Sequence, residues 1–291
     1  MIAIYGLNFK TIHAPHAQLL FNCLKKQNKK YFMQKDFAEI LKNQLNIDFD
    51  AELYQDFEEI KNETEYVFSM GGDGTILKCV TFIKEKETPI VGINFGRLGF
   101  LANIGKDHIE QLIEAITRGN YLIDKRSLLA LECNKPIFGN EKFALNEMTI
   151  QRKDNSSMIT VHTYLNGELL NSYWADGLIV STPTGSTGYS LSCGGPIIYP
   201  SSENFVITPV APHNLNVRPM VVSDKVVLSF EVTGRSKSFL CTLDSRFESI
   251  DSSFQIAISK ADFSANLVRL TDMNFLTALK HKLNWGADQR N

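Results

Sequence analysis

The sequence lacks the marks of a disulfide-rich, membrane-spanning or secreted protein. The five cysteines stand at least 48 residues apart, so they form neither a disulfide framework nor a CxxC half-site for a metal. No run comes close to the ~18 apolar residues that cross a bilayer. The opening residues MIAIYGLNFK carry no basic stretch ahead of the apolar ones, as a signal peptide would. We therefore expect a cytoplasmic protein with reduced thiols and no membrane partner.

A large excess of one charge is also missing. Lys and Arg number 30 and Asp and Glu number 32, which gives a formal net charge of −2. This balance argues against binding to nucleic acid through a broad basic surface, but it allows a small phosphorylated ligand held by local groups. Gly (18) and Pro (9) are too few for a linker protein, and 44% hydrophobic residues suit a globular core. A chain of 291 residues is long enough for about two domains.

The first third of the chain alternates between strand-like and helix-like segments. Short apolar runs predict strands, and apolar residues at helical spacing predict helices. The predicted strands are Met1–Tyr5, Tyr66–Met70 and Pro89–Asn94, and the predicted helices are His16–Lys29, one around Phe37, Ile40 and Leu41, Ile76–Lys86 and His108–Arg118. Such alternation is typical of an α/β domain with a parallel, Rossmann-like sheet.

The pattern changes near residues 120–127. Beyond this boundary we predict short strands and find no amphipathic helix before residue 259. The strands are Leu128–Cys133, Ile159–Leu165, Leu178–Thr182, Val226–Val232, Phe239–Leu243 and Phe254–Ile258. Asn166-Gly167 lies between two β-rich runs and predicts a hairpin. We expect an all-β, sandwich-like second domain, followed by a short helix at Phe275–Leu283.

The segment Gly71-Gly72-Asp73-Gly74-Thr75 follows a predicted strand and opens a predicted helix. Open α/β sheets bind ligands at this place, and glycines let backbone N–H groups cradle a phosphate. A carboxylate in such a loop suits a proton acceptor for a hydroxyl nucleophile or a contact to a divalent metal. The alternative is a tight turn in which Asp73 bonds to its own backbone.

Two further segments are rich in polar groups. Asp176 begins a strand that leads into the hydroxyl-rich stretch Ser181–Ser192, where Tyr189 offers an aromatic face for a base. Asn146-Glu147 places an amide beside a carboxylate in an apolar β context, a pair that can read a purine edge or a ribose. The alternatives are a surface loop for the first segment and an exposed hairpin corner for the second. Asp244-Ser245-Arg246, at a strand end, is a weaker candidate for ligand contact.

Taken together, these blocks resemble the NAD kinase family. The resemblance rests on Gly71–Thr75, Asn146-Glu147 and Asp176–Ser192, and on blocks in the same order along the chain: Leu98-Gly99-Phe100-Leu101, Gly194-Gly195-Pro196, Val217-Arg218-Pro219 and Leu283-Asn284-Trp285-Gly286. Gly-Gly-Asp-Gly alone also occurs in lipid kinases, but such a kinase gives no reason for the other blocks. A non-catalytic dinucleotide sensor is a second alternative, which has no need of Asp73.

The resemblance implies an α/β domain over residues 1–124, a β-rich dinucleotide-binding domain over 125–262, and a C-terminal segment, 263–291, that returns to the first domain. It also implies transfer of a phosphoryl group to the 2′-hydroxyl of the adenosine ribose of NAD. Asp73 would accept the proton. The implied binding residues are Gly72, Asp73, Gly74, Lys78, Asn146, Glu147, Asp176, Thr187, Gly188, Tyr189, Ser190, Leu191, Ser192 and Ala211.

The same resemblance implies partners and one departure from the family pattern. The donor would be ATP or polyphosphate, Mg²⁺ would be the divalent ion, without a dedicated set of protein ligands, and the chain would form a homodimer or homotetramer. Gly188 stands where many members have Ala. We expect the missing methyl group to loosen the backbone slightly and to leave the chemistry alone.

Overall fold

The chain folds as two compact units. In the computed structural model, residues 1–60, 62–153 and 157–285 are described. The first unit contains Met1–Lys125 and Ala265–Asn291, and the second contains Arg126–Ser264. Gly286, the last residue of the terminal block, lies outside the described residues.

The first unit is an α/β fold built on a parallel sheet. Its strands are β1 (Ile2–Gly6), β2 (Tyr31–Gln34), β3 (Glu52–Tyr54), β4 (Tyr66–Met70), β5 (Ile90–Asn94) and β6 (Ile104–Gly105). Its helices are α1 (Ala14–Lys26), α2 (Lys35–Glu39), α3 (Phe57–Ile60), α4 (Asp73–Ile83) and α5 (Ile109–Arg118), with a π-helical turn at Ile40–Gln44. The order β5-β4-β1-β2-β3 is parallel throughout, and β6 pairs with β5.

The α/β prediction is confirmed, with shifts at the ends of elements that have local causes. Helix α1 begins two residues before the predicted start because Pro15 fits its first turn. It ends three residues early, before Asn28, whose φ of 52° is left-handed. Helix α5 ends at Gly119, with φ of 69°, as expected for a C-terminal glycine. Strands β2 and β3 were not predicted, since three or four residues are too few to show a period.

The second unit consists of two antiparallel sheets. Its strands are β7 (Leu122–Cys133), β8 (Phe143–Ala144), β9 (Glu147–Arg152), β10 (Ile159–Leu165), β11 (Glu168–Ala175), β12 (Gly177–Ser181), β13 (Asn204–Val210), β14 (Met220–Ser223), β15 (Leu228–Thr233), β16 (Phe239–Leu243), β17 (Arg246–Ile250) and β18 (Gln255–Arg269). The first residues of β7 and the last residues of β18 belong to the first unit. One sheet has the order β11-β10-β15-β18, and the other β14-β13-β12-β9-β16-β17.

The two sheets of the second unit share one apolar core. Val161 and Phe230 from one sheet belong to the same buried cluster as Ile150 and Val180 from the other. Two sheets packed over one core form a sandwich, so the fold class predicted for this half is confirmed. The hairpin at Asn166-Gly167 is confirmed as well, since φ is 50° at Asn166 and 86° at Gly167.

Short helical segments complete the chain. In the second unit, a 3₁₀ turn at Gly185–Thr187 is followed by α6 (Tyr189–Ser192). In the first unit, α7 covers the predicted Phe275–Leu283. Among the described residues, no helix has both the length and the apolar character needed to cross a membrane. All five cysteines carry free thiols.

Candidate active site

The loop Gly71–Thr75 joins the carboxyl end of β4 to the start of α4. The N–H of Thr75 donates to the carbonyl of Gly72 (2.9 Å), which closes the first turn of the helix. No described residue accepts a hydrogen bond from the N–H groups of Gly72, Asp73 or Gly74. A Cβ placed on Gly72 or Gly74 would meet nothing within 4 Å. The positive end of an 11-residue helix therefore faces open space, as an anion site requires.

The side chain of Asp73 bonds to a distant loop rather than to its own. Its Oδ2 accepts from the N–H of Phe100 (2.8 Å), and its Oδ1 accepts from Leu101 (3.1 Å) and Ala102 (2.9 Å). The close approach needs Gly99, because a Cβ there would lie 1.7 Å from Oδ1. The tight-turn alternative therefore does not describe this loop. Three N–H donors counter the charge of the carboxylate, which makes a negative side chain compatible with an anion site.

A buried asparagine fixes the loop that holds Asp73. Asn94, at the end of β5, is 2% exposed. Its Oδ1 accepts from the N–H of Gly96 (2.8 Å), and its Nδ2 donates to the carbonyls of Arg97 (3.0 Å) and Ala102 (3.1 Å). One side chain thus ties both ends of the loop together. Sequence reasoning missed Asn94, although an amide at the end of an apolar strand was a signal that could have found it.

In the second unit, Asn146 and Glu147 lie at the start of β9. Glu147 is half-buried, and its Oε2 is buried without a hydrogen-bond partner among the described residues. Burial and the negative charge of Asp244 together raise the pKa of Glu147 to about 8, against the opposing effect of the backbone N–H of Tyr189. A carboxyl group with this pKa is mostly protonated at neutral pH and can donate a hydrogen bond. The exposed-corner alternative does not describe Glu147.

The hydroxyl-rich segment packs against this pair. A Cβ on Gly185 would lie 2.1 Å from the carbonyl oxygen of Asn146, so the 3₁₀ turn touches the backbone there. A Cβ on Gly188 would stand 3.2 Å from Oε2 of Glu147, so an alanine would partly cover this oxygen. Glycine at residue 188 therefore leaves more room beside Oε2, which is itself buried.

The fold itself uses several of the hydroxyl groups. Thr187 donates to the carbonyl of Thr184 (3.1 Å), and the fully buried hydroxyl of Ser190 bonds to that of Thr208 (2.8 Å). Of the remaining predicted residues in this stretch, Leu191 is half-buried and Ser192 is exposed.

Two neighbours at the end of β9 hold two other predicted site residues. Gln151 donates to the hydroxyl of Tyr189 (3.0 Å), whose ring is 38% exposed. Arg152 pairs with Asp176 (Nε to Oδ1, 3.1 Å), and both side chains are half-buried. Neither Gln151 nor Arg152 was predicted, because only the tertiary fold brings them beside these residues.

Ala211 lies next to Asp176, because the N–H of Asp176 donates to the carbonyl of Val210 (3.0 Å). Ala211 has a left-handed φ of 45°, which marks a sharp turn after β13. Nearby, the ring of Trp174 lies over that of His213, with centroids 4.2 Å apart. The structure thus places Asn146 and Glu147 at the start of β9, Asp176 beside the end of the same strand, and Tyr189 in contact with Gln151 of that strand.

Two further predictions concern a lysine on α4 and the binding of a metal ion. Lys78 is exposed on α4, five residues after Asp73. Among the described residues, no group of three or more His, Cys, Asp or Glu side chains could hold a metal ion.

Comparison with known proteins gives a consistent result. The ATP-NAD kinase N-terminal domain matches residues 8–121, and the ATP-NAD kinase C-terminal domain matches residues 145–270. The NAD kinase of Cytophaga hutchinsonii is 46% identical over 100% of both chains, and that of Bacteroides fragilis (strain ATCC 25285) is 41% identical over 99% of both.

Solved structures agree with this fold. The yeast NADH kinase complexed with NADH superimposes with a TM-score of 0.87 at 22% identity, over 99% of this chain and 89% of that one. The Archaeoglobus fulgidus NAD kinase in complex with ATP gives 0.70 at 26% identity, over 98% of each chain. With both domains matched and full-length relatives above 40% identity, the chain belongs to the NAD kinase family.

Proposed function

We propose that this chain transfers the terminal phosphoryl group of ATP to the 2′-hydroxyl of the adenosine ribose of NAD, which produces NADP. Membership of the NAD kinase family supports the reaction. The observation that carries the proposal is the carboxylate of Asp73, held by three N–H groups beside the open N-terminus of α4. A proton acceptor next to an anion site is what transfer of phosphate to a hydroxyl group requires.

Asp73 has the capacity to take the ribose proton. Each carboxylate oxygen accepts about two hydrogen bonds. Oδ1 already accepts two and Oδ2 accepts one, so Oδ2 keeps a position for the hydroxyl. The rigid loop fixes this oxygen before the substrate arrives, and this reduces the cost of ordering it in the transition state.

The phosphate groups would be held by local contacts. The free N–H groups of Gly72, Asp73 and Gly74, the helix dipole and the charge of Lys78 all favour an anion. These groups suit a divalent ion that arrives with the nucleotide, since Mg²⁺ in such sites is bound largely by phosphate oxygens and water. When bound, Mg²⁺ neutralises charge on the transferring phosphate.

The dinucleotide would contact the polar groups of the second unit. Asn146 and Glu147 would hold the adenosine portion, and Asp176 the nicotinamide end or its ribose. Ala211 and the segment Thr187–Ser192, with Gly188, Tyr189, Ser190 and Leu191, would line the pocket, although Ser190 would do so through its backbone, since its hydroxyl bonds to Thr208. Polyphosphate as an alternative donor, a cytoplasmic location and assembly as a homodimer or homotetramer belong to the same proposal.

The direct test incubates the purified protein with NAD, Mg²⁺ and either ATP or polyphosphate, and measures NADP with an enzyme specific for it. We expect NADP with at least one donor. Asp73→Asn should lower kcat by ~10²–10⁴, the usual range for loss of a general base, while NAD binding is largely kept. Asp107→Asn, which removes an exposed carboxylate of the same unit, is the matched control and should be unaffected.

Two results would contradict the proposal. NAD binding without product from any donor would favour a dinucleotide sensor. Near-normal turnover in the Asp73→Asn variant would remove Asp73 from the role of base, even if NADP is made.

A further inference from the structure

Two residues, Asp244 and Thr182, satisfy every backbone polar group of Leu145-Asn146-Glu147. The carboxylate of Asp244 accepts from the three N–H groups in order along the chain, at 2.9, 2.8 and 3.2 Å. The hydroxyl of Thr182 donates to the carbonyl of Leu145 (2.6 Å), and the N–H of Thr182 donates to that of Asn146 (2.9 Å). The N–H of Asp244 donates to the remaining carbonyl, that of Glu147 (3.0 Å).

Asp244 is itself held in place. It lies in the turn between β16 and β17 with a left-handed φ of 52°, which Asp tolerates better than most residues. Two residues later, Arg246 donates to the carbonyls of Glu141 and Phe143, on the chain that leads to Asn146. The turn and the segment are therefore joined at two points. The carboxylate thus uses three of its about four acceptor positions on this segment.

We infer that Asp244 is the positioning residue of the dinucleotide site, which fixes the backbone of Asn146-Glu147 and places a negative charge beside the carboxyl group of Glu147. This inference rests on the proposed function, because Asn146 and Glu147 are taken to hold NAD. Because the backbone of these residues is fixed before the ligand binds, less conformational entropy of the protein is lost on binding.

The carboxyl groups of Asp244 and Glu147 differ in the hydrogen bonds that they accept. The pKa of Asp244 is raised by burial, and three N–H bonds and the Arg246 guanidinium oppose the rise. Glu147, by contrast, receives the N–H of Tyr189, and its buried Oε2 has no hydrogen-bond partner in the described part of the chain. Hydrogen bonds donated to a carboxylate favour its charged form. The three N–H donors and the guanidinium thus favour the charged form of Asp244, whereas burial favours the protonated form of Glu147.

The test replaces Asp244 by Asn, which keeps the shape of the side chain but removes its charge and one acceptor. NAD affinity is measured by calorimetry from pH 5.5 to 9, and KM for NAD and for ATP is measured at pH 7. We expect the affinity for NAD to fall at least tenfold while KM for ATP stays within twofold. The pH at which NAD affinity changes should move down by about one unit, because the like charge beside Glu147 is gone.

Three variants make the result interpretable. Asp224→Asn removes a buried carboxylate of the same unit, which pairs with Lys260 (2.6 Å) rather than with Asn146 or Glu147, and should cost stability without changing NAD affinity. If Asp244→Asn does not fold, Thr182→Val tests the same segment by removing the other side chain that holds it. Thr182→Ser keeps the hydroxyl and should restore NAD affinity.

An Asp244→Asn protein with unchanged NAD affinity and an unchanged pH profile would overturn the inference. Equal losses of NAD affinity in Asp244→Asn and Asp224→Asn would also overturn it. With an unfolded Asp244→Asn, wild-type NAD affinity in Thr182→Val would overturn it. Failure of the wild type to form NADP is a separate result, which would count against the proposed function. NAD binding is measured without turnover, so the two failures can be told apart.

Discussion

The close contact between Gly99 and Asp73 leads to a prediction about the proposed role of Asp73. In Gly99→Ala the new Cβ would lie 1.7 Å from Oδ1 of Asp73, whereas real Cβ atoms essentially never come within 3.0 Å of another heavy atom. The carboxylate therefore has to move by more than about 1 Å. Gly99 does not have a positive φ, so alanine adds this clash without backbone strain.

The size of the effect follows from the bonds that the carboxylate would lose. Its three N–H bonds are 2.8 to 3.1 Å long, and a shift above about 1 Å takes at least one beyond bonding distance. A hydrogen bond to a charged group contributes about 1.5–3 kcal/mol, so we expect a loss of about 2 kcal/mol in stability. Misplacing a catalytic group by ~1 Å costs about 10²-fold in rate, which is the expected fall in kcat.

The assay compares Gly99→Ala with Gly96→Ala, a substitution in the same loop. A Cβ on Gly96 would meet its nearest atom, Oδ1 of Asn94, at 3.8 Å, which is an ordinary contact. NADP formation and thermal unfolding are measured for both proteins. A folded Gly99→Ala protein with kcat within threefold of the wild type would refute the reasoning, because Asp73 would then not need its present position.

Two other perturbations test the charges of the site. The folded-state pKa of Glu147 is raised from 4.5 to about 8, so the folded protein binds an extra proton between these values and loses stability as pH rises through them, by at most ~1.4 kcal/mol per pH unit. Glu147→Gln should abolish this loss. The free energy of unfolding of both proteins is measured in urea at pH 5, 6.5 and 8, and the same change with pH in both would contradict the raised pKa. Lys78→Ala should raise KM for ATP by up to about fivefold, the range of one exposed charge pair, with little change in stability; an unchanged KM would separate Lys78 from the phosphates.

Local sequence predicted the parts of the fold that depend on local interactions. Tyr66–Met70 was predicted to the residue because an apolar strand stops at a glycine pair, and Asn166-Gly167 because this pair favours left-handed φ at both positions. Strands such as Asn204–Val210 and Arg246–Ile250 were missed. Their stability comes from pairing with neighbours far away in the chain, for which a single segment carries little signal.

The same division holds for the candidate site. Asp73, Asn146 and Glu147 were found because polar residues in an apolar or glycine-rich context are unusual. The residues that hold them, Asn94 and Asp244, were missed or given another role. Each acts on a segment that only folding brings near, and nothing in the local pattern marks such a partner.

The sequence by itself determined the two kinds of domain, the phosphate-type loop and the family, because these depend on periodicity, turn chemistry and the order of short blocks. Only the tertiary structure decided the hydrogen-bond partners and the protonation of the acidic side chains. In the fold, the carboxylate of Asp73 accepts hydrogen bonds from the N–H groups of Phe100–Ala102, and that of Asp244 accepts from Leu145, Asn146 and Glu147. Burial and the nearby charge of Asp244 raise the pKa of Glu147. The physical reason is that hydrogen bonds and burial set the state of a charged group, and both arise between segments that are remote in sequence.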